Sequence, residues 1–127
     1  MSEQERLKKV RDLLLKLHKM MLDGERSIYE RAHGPLNSAE FLNLLLEDES
    51  FEWLRKFSRI IVEIDEMFDL KDGIPEGVIH EKLDKARDLV QMKDEDEHFR
   101  ERYQYAIQEV WGVASVQGEL KELLADK

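Results

Sequence analysis

The sequence predicts an all-α protein: a four-helix bundle with one additional short helix and mostly antiparallel neighbours. Three observations lead there. Four long stretches repeat their apolar residues at the three-and-four spacing of a helix with one buried face. They are separated by Gly34-Pro35, by Asp72-Gly73-Ile74-Pro75 and by the acidic run Asp94-Glu95-Asp96-Glu97, residues that stop one helix or cap the next. No alternation of apolar and polar residues runs long enough to make a strand. Short connections between long helices favour antiparallel neighbours.

The first helix opens at Ser2, whose hydroxyl is placed to accept from the third helical residue while Glu5 reaches back to the Ser2 amide. Its stripe is Leu7, Val10, Leu14, Leu17, Met21 and Ile28, which Leu13 and Met20 widen enough to touch two neighbours. Gly24 weakens the middle by about 1 kcal/mol relative to Ala and marks a bend or a close approach. His33, Gly34 and Pro35 end the helix.

A short helix is expected over residues 39–46, then a corner at Glu47-Asp48-Glu49 and a longer helix over 51–68, with Ser38 and Ser50 as candidate starts. The longer one has a sharp apolar face of Trp53, Phe57, Ile60, Ile61, Ile64, Met67 and Phe68, with Arg59 and Glu63 one turn apart on the wet side. Pro75 opens the third long helix, whose face is Ile79, Leu83, Ala86 and Val90. Asp94 or Asp96 caps the fourth, which runs through Phe99, Tyr103, Ala106, Ile107, Val110 and Ala114 to Leu120 and Leu124, the last three residues fraying. Gly112 and Gly118 lower its helix propensity and point to a backbone approaching closely there.

At 127 residues, the chain is expected to form one domain over 1–127 and to bury roughly two-thirds of its unfolded surface. With no cysteine, it has no disulfide, no thiolate metal site and no cysteine nucleophile, which fits a reducing compartment. The start lacks a basic segment followed by an apolar one, so no secretory signal is expected. Apolar runs such as Leu44-Leu45-Leu46 are far shorter than the about 20 residues of a membrane span. A cytoplasmic location is the expectation. A net charge of −9 repels nucleic-acid phosphates, and the densest basic segment is only Arg55-Lys56 with Arg59, so no nucleic-acid partner is expected.

The segments Tyr29-Glu30-Arg31-Ala32-His33-Gly34-Pro35, Phe51-Glu52-Trp53-Leu54-Arg55 and Ile60-Ile61-Val62-Glu63-Ile64-Asp65-Glu66 resemble a group of short bacterial all-helical proteins to which no activity is attached. The resemblance covers residues 22–66. It implies a bacterial cytosolic helical protein and supplies no catalytic residues.

Three constellations carry chemistry. Glu30 with His33, and Glu95 with His98, each place a carboxylate and an imidazole three residues apart, the spacing with which ferritin-like bundles hold two metals. Glu63 or Glu66 and Glu81 are the candidate lone acids from the other helices. The motifs fall where the first helix ends and the fourth begins, so a metal would sit at one end of the bundle. The competing reading is electrostatic capping, with His33 at a negative helix end and the acids at 94–97 at a positive one. Arg26 and His33 have a spacing that resembles the Arg and His of small helical ribonucleases of the HEPN kind, but Ser27 follows the Arg and the acidity disfavours RNA. Glu25 lies on the flank of the first stripe beside His18 and Tyr29, so its carboxylate needs a partner, for which Arg55 or Arg59 is at hand. Otherwise His18, Glu25 and Tyr29 line a small-ligand pocket between helices.

Trp53 and Trp111 are expected in or near the core; a partner surface would instead use Trp53, Tyr105, Trp111 and Gly112. No phosphate-cradling glycine loop, zinc helix or nucleophile elbow is present in the sequence. The expectation is a small acidic non-enzymatic protein that acts through a protein partner or a second copy of itself, without a cofactor. The alternatives are the metal-binding bundle and the small-ligand pocket.

Overall fold

Caps and stops set the elements. The computed structural model describes residues 1–125, and among the described residues there are six α-helices, one 3-10 helix and no strand. α1 (Glu3–His33) is capped by Ser2, whose Oγ accepts from the Glu5 amide at 3.1 Å. The reciprocal half of the expected box differs: the Glu5 carboxylate takes the Ser2 hydroxyl at 3.2 Å rather than the Ser2 amide. The helix stops at Gly34, φ 88°, whose N–H returns to Glu30 O at 2.8 Å. A positive φ suits glycine, and Pro35 has no N–H with which to continue. α2 (Ser38–Glu47) is capped by Asn37 rather than Ser38, because Asn37 and Glu40 complete a reciprocal box at 2.8 and 3.1 Å.

The helix expected over 51–68 divides in two. A 3-10 helix, Glu49–Leu54, capped by Asp48, leads into α3 (Arg55–Phe68). The tighter 3-10 winding eclipses residues three apart, which brings Phe51 and Leu54 to the same side, where both are buried. α4 (Glu76–Val90) follows Pro75, which stands at its N-cap rather than within its first turn.

The expected fourth helix also divides. α5 (Glu97–Glu109) is capped by Asp96, which accepts from the Phe99 amide at 3.3 Å, and α6 (Val113–Leu124) begins after Gly112 at φ 87°. A continuous helix would have faced Ala114 inward; after the break Ala114 is exposed and Val113 and Val116 are buried instead, while Leu120 and Leu124 are buried as expected. Gly118 is exposed too, and a Cβ there meets nothing within 4 Å. Side chains rather than a backbone come close at Gly24, where an added Cβ would lie within 2.8 Å of Val110, and at Gly112, where it would lie within 2.5 Å of Met20. Of the end expected to fray, Ala125 is the C-cap of α6, and residues 126 and 127 lie outside the described residues.

α1 is the central element, with α3, α4 and α6 all packed against it. Its Leu7, Val10, Leu14, Leu17 and Met21 are fully buried, and burial of each such side chain contributes roughly 1.5–3 kcal/mol. Arg6 ties the start of α1 to the end of α6 by donating to Leu123 O at 2.7 Å. Arg11 and Asp65 join α1 to α3 at 2.8 Å. α5 packs on α6 and on the 3-10 helix, and its Phe99 and Tyr103 complete an aromatic cluster with Trp53 and Phe57, ring centroids 5.1 to 6.4 Å apart. No helix among the described residues is long and apolar enough to cross a membrane.

Candidate functional site

A large apolar groove of about 630 Å³ lies where α2 runs beside α3 over α1. It exists because α2 is more apolar than a ten-residue surface helix needs to be. Its inner face is secured by Phe41, which is buried, meets Phe51 edge-on at 6.2 Å and lies 4.9 Å under the Arg26 guanidinium. That leaves Leu42 and Leu46, one turn apart, 56% and 62% exposed. They form one wall; Val62 of α3, 53% exposed, forms part of the other. Leu22 and His18 of α1 complete the lining, above Phe51 and Leu54.

Polar groups frame the groove unequally. Arg55 Nε and Nη2 donate to Leu45 O at 3.1 and 2.8 Å, capping the carbonyl end of α2 with a cation. Glu63 accepts from Lys82 at 2.7 Å and Lys85 at 2.8 Å, and these ammonium groups hold its carboxyl below the usual carboxylate range. The pairing of Glu63 with Arg59 along the helix is thus replaced by lysines from α4. Burial pushes the His18 imidazole below its ordinary pKa. The side chains of Arg59 and Glu66, also on the groove, have no ionic or hydrogen-bonding partner among the described residues. Past Arg59 the groove adjoins a narrower cleft of about 290 Å³ between α3 and α4, where Lys56 meets Asp94 at 2.6 Å and draws that carboxyl down as well.

The residues singled out from the sequence separate into different surroundings. Glu30 closes the turn between α1 and α2: its Oε2 accepts from the Leu36 amide at 2.8 Å and its Oε1 lies 3.6 Å from Arg26. His33 stacks on Tyr29 at 4.1 Å, with Nδ1 3.2 Å from Tyr29 O. Glu95 precedes α5 rather than lying on it, and both it and His98 are exposed. Among the described residues, no three His, Cys, Asp or Glu side chains gather as ligands for one ion. The local capping and turn contacts of Glu30 and His33 thus take the place of a shared metal cluster with Glu95 and His98. Arg26, the other half of the ribonuclease-like spacing, donates to Leu36 O at 2.7 Å and so also serves the turn.

Glu25 is paired, but with Arg102 of α5 rather than Arg55 or Arg59; Arg102 Nε is 3.1 Å away and its Nη2 also donates to the same oxygen. The same guanidinium lies 4.8 Å over the Tyr105 ring. Tyr29 lines a separate hollow with α2, so of His18, Glu25 and Tyr29 only His18 reaches the groove. Trp53 is buried at 1% exposure and cannot meet a partner. Trp111, expected near the core, is 94% exposed because the break between α5 and α6 turns it outward; Tyr105 is 40% exposed and Gly112 forms the break itself.

Sequence reasoning missed Leu42, Leu46 and Val62 as groove walls. The signal was the density of leucines in α2, more than one buried face accommodates. No family model, curated protein or solved structure matches the chain.

Proposed function

We propose that this chain is a non-enzymatic interaction module whose docking face is the groove between α2 and α3, and that the groove receives the apolar face of a helix. One observation carries the reading: Leu42, Leu46 and Val62 stand more than half exposed around a single concavity of about 630 Å³. An amphipathic helix docks into such a groove through apolar side chains spaced three and four apart. A net charge of −9 favours a protein over a nucleic acid as partner, and a cytoplasmic location belongs to the same proposal.

The scaffold reading belongs to it too: α1, α3, α4 and the divided fourth helix, α5 with α6, act as a four-helix bundle with antiparallel neighbours, α2 being the additional short helix. The tie from Arg6 to Leu123, and the approach of Gly112 to Met20, support that order for α1 and α6. Such a frame holds the two groove walls at a fixed separation.

The test uses a fluorescently labelled synthetic helix with leucines on one face and alternating Glu and Lys on the other, followed by anisotropy. Binding is expected to the intact chain and to be lost in the double variant L42D/L46D, whose circular dichroism is unchanged because both sites are exposed. No binding, or binding indifferent to the double substitution, overturns the reading.

A further inference from the structure

What fills the groove follows from the charges on α3, given that the groove is a docking face. α3 carries Arg55, Lys56, Arg59, Glu63, Asp65 and Glu66. Four of these are used within the chain: Arg55 on Leu45 O, Lys56 on Asp94, Glu63 under Lys82 and Lys85, and Asp65 on Arg11. The other two, Arg59 and Glu66, are exposed and unpartnered among the described residues, and they border the groove together with Val62. Residues 59, 62 and 66 follow the three-and-four spacing, so they share one stripe with the apolar residue between opposite charges.

The stripe has no counterpart among the described residues. At 1.5 Å per residue, Arg59 and Glu66 stand about 10 Å apart, too far to pair with each other. Their order also opposes the helix dipole, with the free cation toward the N-terminus and the free anion in the last turn. The pattern is, however, complementary to its own reverse. When a second α3 is laid antiparallel across a two-fold axis near Val62, Arg59 of each copy faces Glu66 of the other and Val62 meets Val62. A two-fold contact repeats each pairing, so one stripe supplies two ion pairs. Leu42 and Leu46, on the facing wall of the groove, flank the apolar centre.

We propose that the chain self-associates as a two-fold dimer through this groove, with α3 antiparallel to α3 and the Arg59–Glu66 pairs fixing the register. Fixing register and suppressing wrong partners is what complementary charges do best at an interface. The apolar area is small, which places the dimer among weak associations with a dissociation constant of roughly 10–100 μM. The net charge of −9 opposes association, and about 0.15 M salt screens that repulsion beyond about 8 Å while leaving the short cross-contacts in place.

Sedimentation equilibrium, across concentrations about tenfold either side of that constant, tests the proposal. The intact chain dimerises; R59E and E66R each weaken the dimer by about tenfold or more, since each reverses two contacts. An equimolar mixture of R59E and E66R recovers the dimer, because one copy then offers two acids and the other two cations. The double variant R59E/E66R recovers it with itself. Should either reversal disturb the circular dichroism, R59Q and E66Q replace them, each weakening the dimer by a smaller factor. A dimer that the mixture does not recover, or an intact chain that is monomeric throughout, overturns the proposal. A monomer that still binds the leucine-faced peptide overturns only the dimer, and one that binds nothing overturns the docking reading as well.

Discussion

α3 has two apolar sides, and they have met different fates. On one, Phe57 joins Trp53, Phe99 and Tyr103 in a closed aromatic cluster, every member 1% exposed or less. On the other, Val62 looks across a groove at Leu42 and Leu46, all more than half exposed. Closure follows from what lies over each side. The 3-10 helix and α5 cover the first, and a polar pair buried beside it is satisfied: the Tyr103 hydroxyl donates to Gln117 Oε1, and Gln117 Nε2 donates to Val90 O at 2.8 Å. The second is bordered by α2, too short to cover it, and by two charges without partners. The closed side carries stability, and the open side is free to carry recognition.

Truncation makes that contrast sharpest. W53A is expected to destabilise by about 3–5 kcal/mol, as an aromatic cavity in a closed core does, whereas V62A stays within about 0.5 kcal/mol. Urea unfolding of both variants measures the difference. W53F separates packing from polarity. The Trp53 Nε1–H finds no protein acceptor among the described residues, so removing it breaks no hydrogen bond, and the loss is expected to stay under about 2 kcal/mol. Equal losses for W53A and V62A would erase the distinction between the two sides.

Gln117 tests whether the closed side depends on its polar pair. Q117L leaves the Tyr103 hydroxyl and Val90 O buried without partners, which is expected to cost about 2–3 kcal/mol. Q117L/Y103F removes one of those orphans and is expected to be less destabilised than the sum of its single variants in a double-mutant cycle. Additive losses would show that the two side chains act independently.

These two sides were unequally legible in the sequence. Phe57, Ile60, Ile61 and Ile64 read correctly as a buried face because their periodicity is unbroken, and all four are buried. Tyr103 and Phe99 were legible for the same reason. Gln117 was not, since one glutamine in a helix gives no sign of facing inward. The breaks were the harder losses. Gly112 reads equally well as a weak helical residue or as a left-handed stop, and only packing of α6 on α1 decides for the stop, at φ 87°. That decision exposes Trp111 and Ala114 and buries Val113. The groove stayed hidden because it depends on how α2 is hung between Asn37 and Asp48. Glu25 showed that it needed a partner, but not which helix would supply it; the partner, Arg102, lies 77 residues away.

His18 gives the smallest effect and the one that best distinguishes an open groove from an occupied one. Its imidazole is partly buried in the groove wall, and that burial lowers its pKa from the ordinary 6.5. The neutral form is therefore favoured in the folded chain. The resulting stability is fully present above pH 6.5 and is lost as the pH falls through the lower folded value. Glu63 and Asp94, whose carboxyls their lysine partners draw down, lose their contribution only at lower pH, below 4.5 and 3.8 respectively, and so add nothing to a decline between pH 7.5 and 5.5. In dilute solution, thermal unfolding between pH 7.5 and 5.5 should show stability declining as the pH falls, a decline absent in H18L. Raising the protein concentration fills the groove with a second copy and removes more water from His18. The decline should then steepen with concentration in the intact chain and stay unchanged in R59E. A decline independent of concentration in both would mean that His18 meets the same surroundings at every concentration, and that the open side of α3 stays open.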